Sequence, residues 1–152
     1  MLNEDYREML SLFIENKVEF LVVGAYAMGV YGFPRATGDI DLWINNSESN
    51  SEKVFESLKI FGAPLENLSQ NDFTEKGTVF QIGVAPRRID IITEIDGIEF
   101  TEAFEDKVIV EIEGLPVPII SRLKLLANKL ASGRLKDKLD AEYLQNTEEN
   151  DS

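Results

Sequence analysis

The chain has 152 residues, of which 43% are hydrophobic, and it carries 15 basic against 28 acidic side chains, a net charge of −13. This length fits one domain with a proper core, and so acidic a surface disfavours broad, non-specific binding to nucleic acid. The absence of Cys and His excludes disulfides, thiol chemistry, the usual zinc ligand sets and a histidine general base.

The sequence carries no pattern of export or of membrane insertion. The N-terminal residues are acidic and lack a signal-peptide pattern, and no apolar run is long enough to span a bilayer. We therefore expect a cytoplasmic protein that does not enter a membrane. Residues 1–147 are expected to form one domain, followed by an acidic, disordered tail at 148–152.

The spacing of apolar residues predicts alternating helices and strands. Helices are predicted over residues 3–16, 25–31, 51–61 (with Ser51 as the cap), 121–133 and 134–146. Strands are predicted over 20–23, 39–44, 79–84, 88–93, 108–112 and 115–119, with a hairpin at 85–87 and mostly loop at 62–77. The alternation indicates an α/β or α+β fold: a mixed β-sheet flanked by helices, with a helical C-terminus.

The second predicted strand carries two aspartates one residue apart, Asp39 and Asp41. Residues i and i+2 of a strand share a face, so these carboxylates project together and repel unless a cation lies between them. A third aspartate, Asp90, stands in an otherwise apolar strand, where a charge needs a partner. If the two strands are neighbours, three carboxylates converge, and carboxylate oxygens suit Mg²⁺ or Mn²⁺.

Gly24 stands where the first predicted strand meets a short helix. A glycine at such a turn lets the backbone approach a phosphate, and the following N–H groups are free to bind it, so Gly24 and Ala25 are candidate phosphate contacts. Arg35 and Thr37 come just before the aspartates and could supply a cation and a hydroxyl to the same phosphates.

Together these motifs resemble the polymerase-beta-like nucleotidyltransferase superfamily. The segment Pro34–Leu42 (PRATGDIDL) and the segment Leu125–Asp137 (LLANKLASGRLKD) are more narrowly similar to small bacterial nucleotidyltransferases related to abortive-infection toxins. The resemblance spans residues 20–144. It implies that Lys129 points at a triphosphate, and that Asp137 and Asp140 brace the adjoining turn. The family usually has Gly-Gly or Gly-Ser where this chain has Gly24-Ala25.

The residues and the resemblance predict a nucleotidyltransferase that moves a nucleoside monophosphate from a nucleoside triphosphate to a hydroxyl acceptor and releases pyrophosphate. Asp39, Asp41 and Asp90 would hold the metal ions, and Asp90 would also help to deprotonate the acceptor. The acceptor stays open among a small molecule such as an antibiotic, a protein side chain and a tRNA end. A partner protein or a second copy of the chain could help to bind it.

Other interpretations of the same residues remain open. Asp-x-Asp pairs are often solvated, Asp90 could form a structural ion pair with Arg87 or Arg88, and Lys129 could be a surface lysine whose stem covers the core. The rival functions are a non-catalytic member of the fold that binds a partner, such as one half of a toxin–antitoxin pair, and a metal-dependent phosphohydrolase.

Overall fold

The computed structural model describes residues 2–33 and 38–147. Its α-helices are α1 (Glu4–Glu15), α2 (Gly24–Val30), α3 (Glu48–Phe61), α4 (Phe100–Glu105), α5 (Arg122–Ser132) and α6 (Leu135–Thr147). Its strands are β1 (Phe20–Val23), β2 (Ile40–Ile44), β3 (Val79–Ile82), β4 (Ile89–Ile92), β5 (Val108–Ile112) and β6 (Leu115–Ile119). The candidate residues Arg35 and Thr37 and the predicted tail at 148–152 lie outside the described residues.

The strands form a mixed sheet in the order β3-β4-β2-β1-β6-β5. β2 lies near its centre, antiparallel to β1 and parallel to β4. β1 runs parallel to β6, while β3–β4 and β5–β6 are antiparallel hairpins. The expected mixed sheet with a helical C-terminus is confirmed. None of the described helices is long and apolar enough to cross a bilayer.

Helix α1 packs on α3 and β6 and gives its apolar stripe to the core. Asn3 caps the helix, because its side-chain oxygen accepts a hydrogen bond from the Tyr6 backbone N–H at 2.9 Å. The buried face consists of Tyr6, Met9, Leu10 and Phe13, as helical spacing predicts.

Several element ends differ from the sequence prediction. The expected Ser51 cap of α3 is wrong: Ser47 Oγ accepts from the Asn50 N–H at 3.2 Å, and Ser51 lies one turn inside the helix. Strand β3 ends at Ile82, because Gly83 takes a left-handed φ of 84° and turns the chain. Loop 62–77 includes a 3₁₀ turn at Gln70–Thr74, and α4 was not predicted.

Candidate active site

The two aspartate strands lie side by side. β2 and β4 run parallel, in a register that places Asp41 directly beside Asp90. Both side chains therefore project from the same face of the sheet. Asp39 comes one residue before β2, where its Oδ1 accepts a hydrogen bond from the Arg88 backbone N–H at 3.1 Å. The predicted convergence of Asp39, Asp41 and Asp90, the carboxylate cluster below, is thus present.

The Arg88 side chain lies against this cluster. Its Nε donates to Asp90 Oδ1 at 2.7 Å and its Nη2 to Asp90 Oδ2 at 3.1 Å. The same Nη2 lies 3.2 Å from Asp39 Oδ2. The ion pair between Asp90 and Arg88, which the sequence left open as a structural alternative, is therefore formed, and one guanidinium serves two of the three carboxylates.

Asp41 is left with an excess of negative charge around it. Burial raises the pKa of Asp41, the Asp90 charge and hydrogen bond raise it further, and Asp39 adds to them; the result is a pKa of about 6. Arg88 acts in the opposite direction without overcoming these effects. The cluster therefore favours an additional positive charge.

The carboxylate cluster fits a divalent cation in its chemistry. Among residues 2–33 and 38–147 no group of three acidic side chains is already arranged to hold a metal ion. The guanidinium of Arg88 is bound to Asp39 and Asp90 instead. Carboxylate oxygens are the donors that Mg²⁺ and Mn²⁺ prefer, and repulsion within the cluster raises the affinity for either ion. Binding of a metal would require Arg88 to release some of these contacts.

Gly24 leaves room for the Asp41 carboxylate. A Cβ atom at Gly24 would come to 2.2 Å from Asp41 Oδ2, and the glycine has a φ of 67° that side chains disfavour. Val23 pairs with Asp41 across β1 and β2, so the next residue, Gly24, lies beside the Asp41 carboxylate. The sequence suggested that Gly24 contacts a phosphate. The structure adds a second reason for a glycine at this position, which is the space that the Asp41 carboxylate occupies.

A cavity of about 740 Å³ opens over the carboxylate cluster. Its wall contains the predicted site residues that the structure describes, namely Gly24, Ala25, Asp39, Asp41, Asp90 and Lys129. The aspartates stand on the sheet, whereas Lys129 belongs to α5. The side chains of Arg134 and Lys136, next to the turn between α5 and α6, add positive charge to the helical wall.

Lys129 is held by two aspartates of α6. Its Nζ lies 3.1 Å from Asp137 Oδ1 and 3.3 Å from Asp140 Oδ2, and all three side chains are buried. The alternative of a surface lysine is therefore wrong. Burial opposes ionisation of Asp137, but hydrogen bonds from Ser132, Lys129 and Arg134 prevail and lower its pKa to about 2. We call Lys129, Arg134, Asp137 and Asp140 the lysine cluster.

Comparison with known proteins gives structural neighbours only. Neither a protein-family model nor the sequence of a curated protein matches the chain. The chain is similar to TM1012 of Thermotoga maritima, provisionally assigned as a nucleotidyltransferase, with a TM-score of 0.62 and 18% identity over 96% of each chain. It is also similar to the lincosamide antibiotic adenylyltransferase LnuA, solved with lincomycin bound, with a TM-score of 0.59 and 17% identity over 95% of this chain and 97% of LnuA.

The chain has the nucleotidyltransferase fold. The likeness covers nearly the full length of both neighbours, so the fold expected from the resemblance is confirmed. At this level of identity it carries over no residue roles, and the roles of Asp39, Asp41, Asp90, Gly24 and Lys129 stay predictions.

Three residues to which the sequence assigned no role lie close to the candidate active site. Arg134 and Lys136 line the cavity; the alternating basic residues after Gly133 were the available signal. The Tyr6 hydroxyl reaches the backbone carbonyls of Gly38 and Arg88, 3.2 Å away in the case of Arg88, and so ties α1 to the chain beside both aspartate strands. Burial, followed by the charges of Tyr26 and Asp39, raises the pKa of Tyr6 to about 12. The hydroxyl therefore keeps its proton and can donate it to these carbonyls.

Proposed function

We propose that the protein is a metal-dependent nucleotidyltransferase, which transfers a nucleoside monophosphate from a nucleoside triphosphate to a hydroxyl acceptor. The observation that carries this proposal is one cavity with two kinds of wall: three carboxylates on adjacent strands, and cationic side chains on α5 and α6. The fold supports it, since LnuA, a structural neighbour, is an adenylyltransferase.

The two walls suit different parts of such a reaction. Arg134 and Lys136 offer positive charge to the β- and γ-phosphates, and the Gly24-Ala25 turn allows the phosphates to approach the backbone. Lys129 holds the turn between α5 and α6 through its aspartates and stays a candidate phosphate contact. Asp39, Asp41 and Asp90 would hold Mg²⁺ or Mn²⁺, which neutralises phosphate charge and lowers the pKa of the acceptor hydroxyl.

The transfer itself is a displacement at phosphorus. The acceptor hydroxyl oxygen forms a bond to the α-phosphorus, and the bond from that phosphorus to the bridging oxygen of the β-phosphate breaks. Pyrophosphate leaves with the electron pair, and the hydroxyl proton passes to a carboxylate, for which Asp90 is our candidate. The chain contributes mainly by positioning the reactants and neutralising their charge.

A calorimetric titration tests this function. The four common nucleoside triphosphates are titrated with Mg²⁺ or with a chelator into the wild type, into Asp41→Asn, and into Asp5→Asn as an exposed control. We expect Mg²⁺-dependent binding of at least one nucleotide, a loss of about a hundredfold in Asp41→Asn, and no change in Asp5→Asn. Equal binding by wild type and Asp41→Asn would show that the carboxylate cluster is not the site.

A second candidate function is partner binding without catalysis, for example as one half of a toxin–antitoxin pair. The observation that favours it is the Arg88 guanidinium, which already neutralises part of the carboxylate cluster. Absence of nucleotide binding in the wild type would support this candidate. Binding followed by release of phosphate instead of pyrophosphate would indicate a phosphohydrolase.

A further inference from the structure

A second cavity, of about 260 Å³, adjoins the first, and both walls include Glu94 and Ile95. Trp43 also lines it and follows Asp41 by two residues on β2, so both side chains project from the same face. Two residues of strand separate their Cα atoms by about 7 Å. A ligand of modest size in this Trp43 cavity could therefore present an atom to the carboxylate cluster.

The indole N–H of Trp43 is unused. The side chain is 1% exposed, and its Nε1 has no hydrogen-bond acceptor among the described residues. Other polar side chains of this wall are already bonded: Thr93 Oγ1 donates to the Glu75 carbonyl at 2.7 Å, and Asn46 Nδ2 to the Thr74 carbonyl at 3.2 Å. Buried donors normally have partners, so an oxygen atom of a ligand would complete this one.

The remaining wall is acidic and aromatic. Glu94, Glu99 and Glu102 line the cavity against a single cation, Lys76. Glu102 lies 3.7 Å from Lys124, whereas Glu94 and Glu99 form no ion pair in the described part of the chain. Negative charge next to an aromatic side chain favours a positively charged ligand over an anionic or neutral one.

We infer that the Trp43 cavity is the acceptor subsite of the proposed transfer, and that it takes a small cationic alcohol. The ammonium group of the ligand binds near Glu94 and Glu99, an oxygen accepts from the Trp43 N–H, and the hydroxyl group extends towards Asp90. This inference rests on the proposed function. It narrows the class of acceptor from any hydroxyl compound to alcohols that carry a positive charge.

The chain contains one tryptophan, so its tryptophan fluorescence comes entirely from a side chain that lines this cavity. Choline, a cationic alcohol whose single oxygen probes the Trp43 N–H and whose charge probes Glu94 and Glu99, is titrated in the millimolar range. It is compared with its neutral carbon isostere, 3,3-dimethylbutan-1-ol. We expect choline to shift the Trp43 emission saturably and the isostere to bind at least about tenfold more weakly, because it lacks the charge. Equal responses to the two probes would overturn the cationic assignment.

Two double variants separate local from general charge effects. Glu94→Gln/Glu99→Gln removes two charges from the cavity, and Glu8→Gln/Glu52→Gln removes two from exposed positions on α1 and α3. We expect about tenfold weaker choline binding in the first and unchanged binding in the second. Equal losses in both variants, or no saturable response in the wild type, would overturn the inference.

Calorimetry with Mg²⁺ and the nucleoside triphosphates on the same preparation tests the nucleotidyltransferase function separately from the acceptor subsite. Nucleotide binding without a choline response would overturn the acceptor subsite and leave the proposed function in place. A choline response without nucleotide binding would overturn both the function and the acceptor role, and would leave a cation-binding cavity. Binding of both is the expected result.

Discussion

The carboxylate cluster and the lysine cluster face the same cavity but balance their charges differently. The carboxylate cluster sets three aspartates against one arginine, and the pKa of Asp41 rises to about 6 through burial and its acidic neighbours. The lysine cluster sets two aspartates against two cations, and Asp137 has a pKa lowered to about 2 despite its burial. Among the described side chains, aspartates outnumber cations in the carboxylate cluster, whereas the two are equal in number in the lysine cluster.

This difference separates a binding role from a structural role. Buried charges that are fully paired hold two elements together, as Lys129 does for α5 and α6. A buried carboxylate whose pKa is raised by burial and by acidic neighbours, as that of Asp41 is, gains from a bound cation. The three predictions below test this contrast, beginning with the largest expected effect.

Lys129→Met tests whether the lysine cluster is structural. The variant leaves Asp137 and Asp140 buried without their ammonium partner, so we expect the free energy of unfolding to fall by about 3 kcal/mol in urea denaturation. Lys124→Met, on the same helix, breaks only the surface pairs with Asp106 and Glu102 and should change stability little. Similar losses in the two variants would contradict the structural role of the lysine cluster.

Arg88→Met tests whether arginine and metal compete for the carboxylate cluster. In chelator the variant should melt several degrees below the wild type, because Asp39 and Asp90 lose their ion pairs with the Arg88 guanidinium. Added Mg²⁺ should raise the melting temperature of Arg88→Met more than that of the wild type. Arg87→Met, an exposed neighbour, is the control. If Mg²⁺ stabilises all three proteins equally, the competition does not exist.

Asp41→Asn and Asp137→Asn should change the pH dependence of stability in opposite directions. The folded pKa of Asp41 exceeds its ordinary value of 3.8, so wild type loses stability as the pH rises from about 4 to about 6. In chelator at pH 7, Asp41→Asn should be more stable than wild type by about 1–2 kcal/mol, and this gain should vanish near pH 4.

Asp137 carries the opposite sign. Its lowered pKa stabilises the fold above pH 4, and this contribution is lost as the pH falls towards about 2. Asp137→Asn should therefore be less stable than wild type at pH 7, with a difference that shrinks in acid. Urea denaturation between pH 3 and pH 8 measures both variants; parallel profiles for the two would refute the proposed difference between the clusters.

The sequence predicted the parts of the molecule that depend on local periodicity. The strands that carry Asp41 and Asp90 are short and mostly apolar, and this pattern predicted a shared site on the condition that the two strands are neighbours, which they are. The helix predicted over 121–133 was correctly placed: Ser121 caps α5, where its Oγ accepts from the Lys124 N–H at 3.2 Å.

Features that depend on distant contacts escaped the sequence analysis. The Arg88 contacts require the parallel register of β2 and β4, and no local pattern distinguishes Arg87 from Arg88 as the partner of Asp90. Lys129 meets Asp137 only because the chain reverses at Gly133, which has a φ of 72°. Helix α4 spans six residues, too few for a helical period to emerge from the pattern.

The order of the sheet also sets when the cavity can exist during synthesis. β1 forms near the start of the chain, yet its neighbour on one side is β6, and the helical wall follows after β6. Contacts between such distant segments form slowly, because long loops must close first. A nascent chain would expose its aspartate strands to the cell before α5 and α6 arrive. We therefore expect the cavity to be complete only after α5 and α6 have been synthesised.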